Sequence, residues 1–173
     1  MGERALGALT GLALGDALGM PTQSMSPAQI RRCYGEITGL RDAVAEQPIA
    51  PSMPAGSVTD DTEQALILAG LLIDGGGRID PHQLADALLR WEDDMRARGS
   101  LDLLGPSTKL ALERVRAGAD PRCTGGEGTT NGAAMRVAPV GIAFSLSTDG
   151  NALAQAVHAS CLVTHDTRQG FEA

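Results

Sequence analysis

The apolar part of this chain is built from small and unbranched side chains. Its 173 residues include 26 Ala and 21 Leu but four aromatics, Tyr34, Trp91, Phe144 and Phe171. Ala and Leu head the helix scale, whereas strands favour β-branched and aromatic residues. No stretch alternates apolar and polar residues as a half-buried strand would. The expected fold is all-α, a compact multi-helix bundle packed closely through small side chains. The length fits one domain spanning 1–173, and 43% hydrophobic with 20% charged residues fits a globular rather than a disordered chain.

Punctuation divides the chain into helices. Gly7, Gly11, Gly15 and Gly19 recur every four residues and stack along one stripe of a first helix. Each glycine weakens that helix by about 1 kcal/mol relative to Ala, so a close approach should offset the loss. Either another helix packs there or a ligand does. Asp16, between two of these glycines, needs a partner or a metal ion. Ser26-Pro27-Ala28-Gln29 reads as a capped start of a helix ending near Gly35. Residues 36–58 carry three prolines and form a long loop of a kind that is often functional.

From Thr59 the pattern is helical again, with Ala65, Leu66, Ala69, Leu72 and Ile73 on one face until Gly75-Gly76-Gly77. Asp80-Pro81-His82-Gln83 opens a further helix, and Gly105-Pro106-Ser107 another that runs to Arg116. Ala133–Leu146 is apolar but holds Pro139, which predicts an interrupted helix. Residues 151–161 make one more, and Thr164 is expected to open the last. No stop signal follows Thr167–Ala173, so the chain reads as a fragment that ends inside a helix, truncated at its C-terminus.

Charge and cysteine content exclude several functions. The net charge is −7, and the one lysine, Lys109, is joined by scattered arginines. Gripping a nucleic-acid backbone needs clustered cations, so no such partner is expected. Cys33, Cys123 and Cys161 lie far apart and form neither a disulfide framework nor a cysteine-rich zinc site, which suits a reducing compartment. The apolar run Ala5–Leu14 is too short to span a membrane and is interrupted by Asp16. A cytoplasmic location without membrane attachment is expected.

Two segments carry candidate chemistry. Thr59-Asp60-Asp61-Thr62-Glu63 places adjacent carboxylates at a helix start. This is either a well-capped first turn, favoured by the helix dipole, or a hard-cation site of oxygen ligands for Mg²⁺ or Mn²⁺. Gly128-Thr129-Thr130-Asn131-Gly132 opens the apolar run Ala133-Ala134-Met135-Arg136 and offers backbone N–H groups to an anion, unless it is an ordinary loop. It lacks the endings of a P-loop or a dinucleotide fingerprint. His165 beside Thr164 reads as a cap or surface group on spacing alone.

Together, four segments in order resemble the ADP-ribosylglycohydrolase family: Gly11-Leu12-Ala13-Leu14-Gly15-Asp16-Ala17-Leu18-Gly19, Thr59-Asp60-Asp61-Thr62, Asn131-Gly132-Ala133-Ala134-Met135-Arg136 and Thr164-His165. Gly105-Pro106-Ser107 is similar to bacterial members. The resemblance implies an all-helical hydrolase with a binuclear Mg²⁺ (or Mn²⁺) centre. Such an enzyme cleaves the glycosidic bond of ADP-ribose from a protein side chain or a related compound. By resemblance Thr59, Asp60 and Asp61 are metal ligands; Thr129, Thr130, Asn131 and Gly132 hold phosphates; and Asp16, Gln23 and His165 belong to the substrate site.

Two departures from the family pattern qualify this. Gln23 stands where many members carry Glu, and an amide cannot transfer a proton; Asp102 is the substitute carboxylate. The family's second Asp-x-Asp-Thr/Ser segment is absent, so half of the metal shell is missing. The expectation is a hydrolase fragment with weakened or lost activity, the alternative being a non-catalytic module that binds ADP-ribose or a nucleotide.

Overall fold

The computed structural model describes residues 2–97, 104–145 and 149–172. Among these residues there are eight α-helices and no strand. They are α1 (Gly2–Gly19), α2 (Pro27–Tyr34), α3 (Asp60–Asp74), α4 (Pro81–Ala97), α5 (Pro106–Arg116), α6 (Ala138–Ala143), α7 (Gly150–His165) and α8 (Arg168–Glu172). Single 3₁₀ turns lie at Met20–Thr22, Pro121–Cys123 and Ala134–Arg136.

Local chemistry accounts for most boundaries. Ser26 Oγ accepts from Gln29 N at 3.3 Å while Gln29 Oε1 accepts from Ser26 N at 2.7 Å, a reciprocal cap that starts α2. Asp80 Oδ1 accepts from His82 N and Gln83 N, a one-sided cap that starts α4. Past the end of α3, Gly76 and Gly77 take φ of +59° and +86°, which L side chains rarely adopt. Pro139 falls in the first turn of α6, where a missing N–H costs nothing, and the apolar run upstream is broken into a separate 3₁₀ turn. One boundary differs from expectation. Thr164 and His165 do not open the last helix; they end α7, which continues from 150 through His165.

The core gathers Leu68 and Leu72 of α3, Leu84, Ala85 and Leu88 of α4, Leu112 of α5, Val140 of α6 and Val163 of α7, with Ile79. α3 is the hub, packed against α1, α4, α6 and the turn at Ala134–Arg136. Its buried stripe is Gln64, Ala65, Leu68 and Leu72, whereas Leu66 and Ile73, expected to face inward, are 55% and 78% exposed. Residues 65–73 are apolar almost all round, so periodicity does not orient the helix. Gln64 does: it is fully buried and its Oε1 accepts from Arg136 Nη1 at 2.9 Å.

The long loop 36–58 is tied to the end of α1. Gln47 is buried, donates through Nε2 to Met20 O (3.1 Å) and Gln23 O (3.3 Å), and accepts through Oε1 from Ile49 N and Ala50 N. Tyr34 Oη donates to Pro21 O and accepts from Val44 N, each at 2.9 Å. Ala50 then joins Trp91 and Met95 of α4 in a second small core. The loop therefore holds the chain at residues 20–23 in place. Replacing Leu68 by Ala should cost about 3 kcal/mol of unfolding free energy in urea, and replacing exposed Leu66 by Ala about 0.5 kcal/mol or less. A larger loss at Leu66 than at Leu68 would contradict the assigned buried face of α3.

Candidate functional site

Asp16, in the last turn of α1, reaches across to the start of α3. Its Oδ2 accepts from Thr59 N at 2.7 Å, from Thr62 Oγ1 at 2.6 Å and from Thr62 N at 3.3 Å; its Oδ1 accepts from Thr59 Oγ1 at 2.7 Å. Thr59 makes no side-chain cap of its own to α3. A carboxylate from a different helix does this work, with its charge placed at the positive end of the α3 dipole. The partner that Asp16 needs is therefore the mouth of α3.

That arrangement crowds three carboxylates. Asp60 is 5% exposed, and burial followed by the charge of Asp61 pushes its carboxyl up to about 7, with Asp16 adding to the rise. Burial and then Asp16 push Asp61 upward too. Thr59 Oγ1 lies 3.3 Å from Asp61 Oδ2, so hydroxyl and carboxylates form one connected set. Their chemistry, hard oxygen donors with mutual repulsion to be relieved, suits a divalent cation such as Mg²⁺. The shell is partial: among the described residues no three His, Cys, Asp or Glu side chains converge as a cluster able to hold a metal ion.

Beside this set opens a cleft of about 440 Å³. One wall is the glycine stripe, with Gly11, Gly15 and Gly19; Asp16, Thr59, Asp61, Met20 and Gln23 also line it, as do Asn131 of the loop and Met135 of the turn after it. Among the described residues nothing packs on the stripe. A Cβ built on Gly7, Gly11, Gly15 or Gly19 meets nothing within 4 Å. The stripe instead gives the cleft a backbone wall. Gln23 contributes an unusual atom: its Oε1 is buried without a hydrogen-bond partner, a state that favours a donor from a ligand.

The loop at 124–132 lies directly on the end of α7. A Cβ on Gly128 would fall 2.1 Å from Thr164 O, and one on Gly132 would fall 2.7 Å from His165 Cε1, so both positions require glycine. Thr124 Oγ1 donates to Val163 O at 2.7 Å and Thr167 Oγ1 donates to Gly128 O at 2.5 Å. The N–H of Gly128 is given to Gly125 O and that of Thr129 to Ser107 Oγ at 3.2 Å. Thr129 is thus exposed but engaged with the start of α5, and the part of the loop that meets the cleft is Asn131.

His165 does not line the cleft. It is fully buried behind the loop, with Nδ1 2.8 Å from Thr164 Oγ1 and Nε2 2.9 Å from Thr130 Oγ1. Burial, with the nearby Arg136 charge, lowers its pKa to about 4, so the ring is neutral near pH 7. Asp102 lies outside the described residues. Sequence reasoning assigned no role to Arg136, Thr62, Gln64 or Gln47. An arginine inside an otherwise apolar run was the available signal for the first of these.

The comparisons with known proteins converge on one family. The sequence profile described as ADP-ribosylglycohydrolase matches residues 1–173. The uncharacterized protein YegU of Escherichia coli strain K12 is 39% identical over 80% of this chain and 41% of its own length. The ADP-ribosyl-[dinitrogen reductase] glycohydrolase of Rhodospirillum rubrum is 32% identical over 82% of this chain and 45% of its own. A solved structure titled "ADP-ribosylglycohydrolase-related protein complex" superposes with a TM-score of 0.74 at 34% identity, over 98% of this chain and 51% of that one. This chain therefore spans about half, or less, of the length of the proteins it matches. Its helical bundle, with three of the four segments above lining one cleft and Thr164-His165 buried behind it, accords with the profile match along the whole chain: it belongs to the ADP-ribosylglycohydrolase family.

Proposed function

We propose that this chain carries the ADP-ribose-binding cleft and part of the metal shell of a cytoplasmic, Mg²⁺- or Mn²⁺-dependent hydrolase. The reaction would be cleavage of the glycosidic bond that joins ADP-ribose to a modified protein side chain or a related compound. The observation that supports it best is the Asp16–Thr59–Asp60–Asp61 set opening onto a glycine-walled cleft with an orphaned amide oxygen, Gln23 Oε1, in its lining. The R. rubrum relative acts, by its name, on an ADP-ribosylated protein, which is the kind of substrate proposed here.

Each group has a task in this reading. Thr59, Asp60 and Asp61 would hold the cation, which when bound supplies Lewis acidity and an activated water. Asp16 fixes Thr59 and Thr62 and so sets where these donors point. The backbone wall at Gly11, Gly15 and Gly19 admits a flat ribose or base without side-chain obstruction. Thr130, Asn131 and Gly132 would receive the phosphates. Gln23 Oε1 would accept from a ribose hydroxyl. An amide there binds but does not shuttle protons, and the rest of the metal shell would come from residues beyond those matched. For that reason the chain by itself is expected to bind better than it cleaves. Gln23 also favours a second reading, a non-catalytic module that binds ADP-ribose or a nucleotide.

Two measurements test these assignments. Calorimetric titration with ADP-ribose should show binding in Mg²⁺ that weakens at least about tenfold in EDTA and is lost in the Asp60→Ala, Asp61→Ala double variant. Equal affinity in both buffers and in the variant would support the metal-independent binder instead.

The second concerns stability. Asp60 titrates near 7 when folded and near 3.8 when unfolded, so the folded state holds a proton that the unfolded state releases. Stability is then lost as pH rises from about 4 to 7. In EDTA, Asp60→Asn should be more stable than wild type at pH 8, by up to about 4 kcal/mol, and close to it near pH 3.5. Mg²⁺ should shrink or reverse the difference at pH 8. An Asp60→Asn variant less stable than wild type in EDTA at pH 8 would refute the assignment.

A further inference from the structure

Arg136 is the largest side chain with no exposed surface, and nothing in the site as described uses it. It ends the 3₁₀ turn after the glycine-rich loop. Nη1 donates to Gln64 Oε1 at 2.9 Å, and Nη2 donates to Ser160 O at 3.1 Å and to Thr164 Oγ1 at 2.6 Å. Nε is buried without a partner. Arg136 touches neither the loop nor the cleft. It is, however, one hydroxyl and one ring away from Thr130.

Following the protons along that path gives a definite answer. A guanidinium donates and never accepts, so Thr164 Oγ1 receives a hydrogen from Arg136. The Thr164 hydroxyl then has its own hydrogen to place, and among the described residues the acceptor within reach is His165 Nδ1 at 2.8 Å. A nitrogen that accepts carries no hydrogen, and His165 is neutral in this buried setting, so its single hydrogen sits on Nε2. Nε2 lies 2.9 Å from Thr130 Oγ1, the one polar partner of that hydroxyl among the described residues. Thr130 therefore accepts from the ring, and its own hydrogen is left to point away from it. Thr130 is half-buried and adjoins Asn131, which lines the cleft.

We propose that Arg136 is a positioning residue which, through Thr164, fixes His165 as the Nε2–H tautomer and so makes Thr130 a hydrogen-bond donor to an anion held by the loop. With the opposite tautomer, Nε2 would accept the Thr130 hydrogen, and the hydroxyl would turn a lone pair toward the same place. That arrangement would repel a phosphate oxygen. The inference rests on the reading that Thr130–Gly132 receive the phosphates of ADP-ribose.

The test uses the whole chain with ¹⁵N-labelled histidine. Multiple-bond ¹H–¹⁵N spectra distinguish a protonated ring nitrogen from a bare one, and His82→Gln and His158→Gln variants identify the His165 signals. Wild type should show a protonated Nε2 and a bare Nδ1. Thr164→Ser, which keeps the hydroxyl, should show the same pattern and an ADP-ribose Kd within about twofold of wild type. Thr164→Val should mix or invert the tautomers and raise the Kd roughly tenfold. A protonated Nδ1 in wild type overturns the proposal at once, whether or not the valine variant folds. So does an unchanged tautomer in Thr164→Val. If the tautomers behave as stated but inorganic pyrophosphate and ADP-ribose leave the His165 signals unmoved and do not bind, then the donor role of Thr130 and the phosphate reading of the loop fall, while the tautomer assignment stands.

Discussion

One carboxylate holds the site together. Asp16 accepts four hydrogen bonds from the first turn of α3, and this decides three things at once. It supplies the cap that Thr59 does not provide for α3, it docks α1 against that helix, and it brings a third negative charge to Asp60 and Asp61. α1 also touches α6, but Ala17 is its one buried residue among those described. Cutting the Asp16 contacts would release the glycine wall of the cleft together with the donors at its base. Structural anchorage and electrostatic crowding are the same interaction viewed from two helices.

The opposite side of the cleft depends on backbone proximity rather than charge. Gly125, Gly128 and Gly132 let the loop lie on α7 at distances where any Cβ would overlap the chain or the His165 ring. Behind them Arg136 joins α3, through Gln64, to α7, through Ser160 and Thr164. A buried guanidinium is costly, and its pKa is lowered to about 10 by that burial. Its hydrogen bonds offset part of the cost, and they help orient α3, which turns half-buried Asp61 to the cleft and Leu68 to the core.

How much of this was legible in the sequence depended on the kind of signal. Local chemistry read well: the Ser26–Gln29 cap, the Asp80 start, the glycine stop after α3 and the break at Pro139 all involve residues a few positions apart. The all-α class followed from side-chain type. Three features were not readable because they are decided across the chain. The buried face of α3 depends on Gln64 meeting Arg136, 72 residues away. Among the described residues Gly11, Gly15 and Gly19 border the cleft and not a helix, which no spacing can reveal. The end of α7 runs through Thr164-His165 because both side chains are engaged from behind by Arg136 and Thr130, so a pair that resembles a cap is interior. Three of the four segments that carry the resemblance meet at one cleft, whereas His165, expected to line it, lies one layer deeper.

That depth has a consequence for the electrostatics of the whole site. A neutral, buried imidazole contributes no charge to the cleft, and Arg136 is enclosed, so the wall that meets the ligand is polar but uncharged on the loop side and anionic on the α3 side. A dianionic pyrophosphate would be repelled by Asp61 and Asp16 if it lay against them, and favoured by hydroxyl and amide donors at Thr130–Gly132. If ADP-ribose binds as proposed, the two sides would orient it with phosphates toward the loop and the diol end of the ribose toward the carboxylates. A cation among those carboxylates would lower the repulsion and strengthen the same orientation. In the proposed reading affinity and metal content would be coupled by Coulomb's law in this cleft, while bond cleavage would further require a proton donor that Gln23, an amide, does not supply.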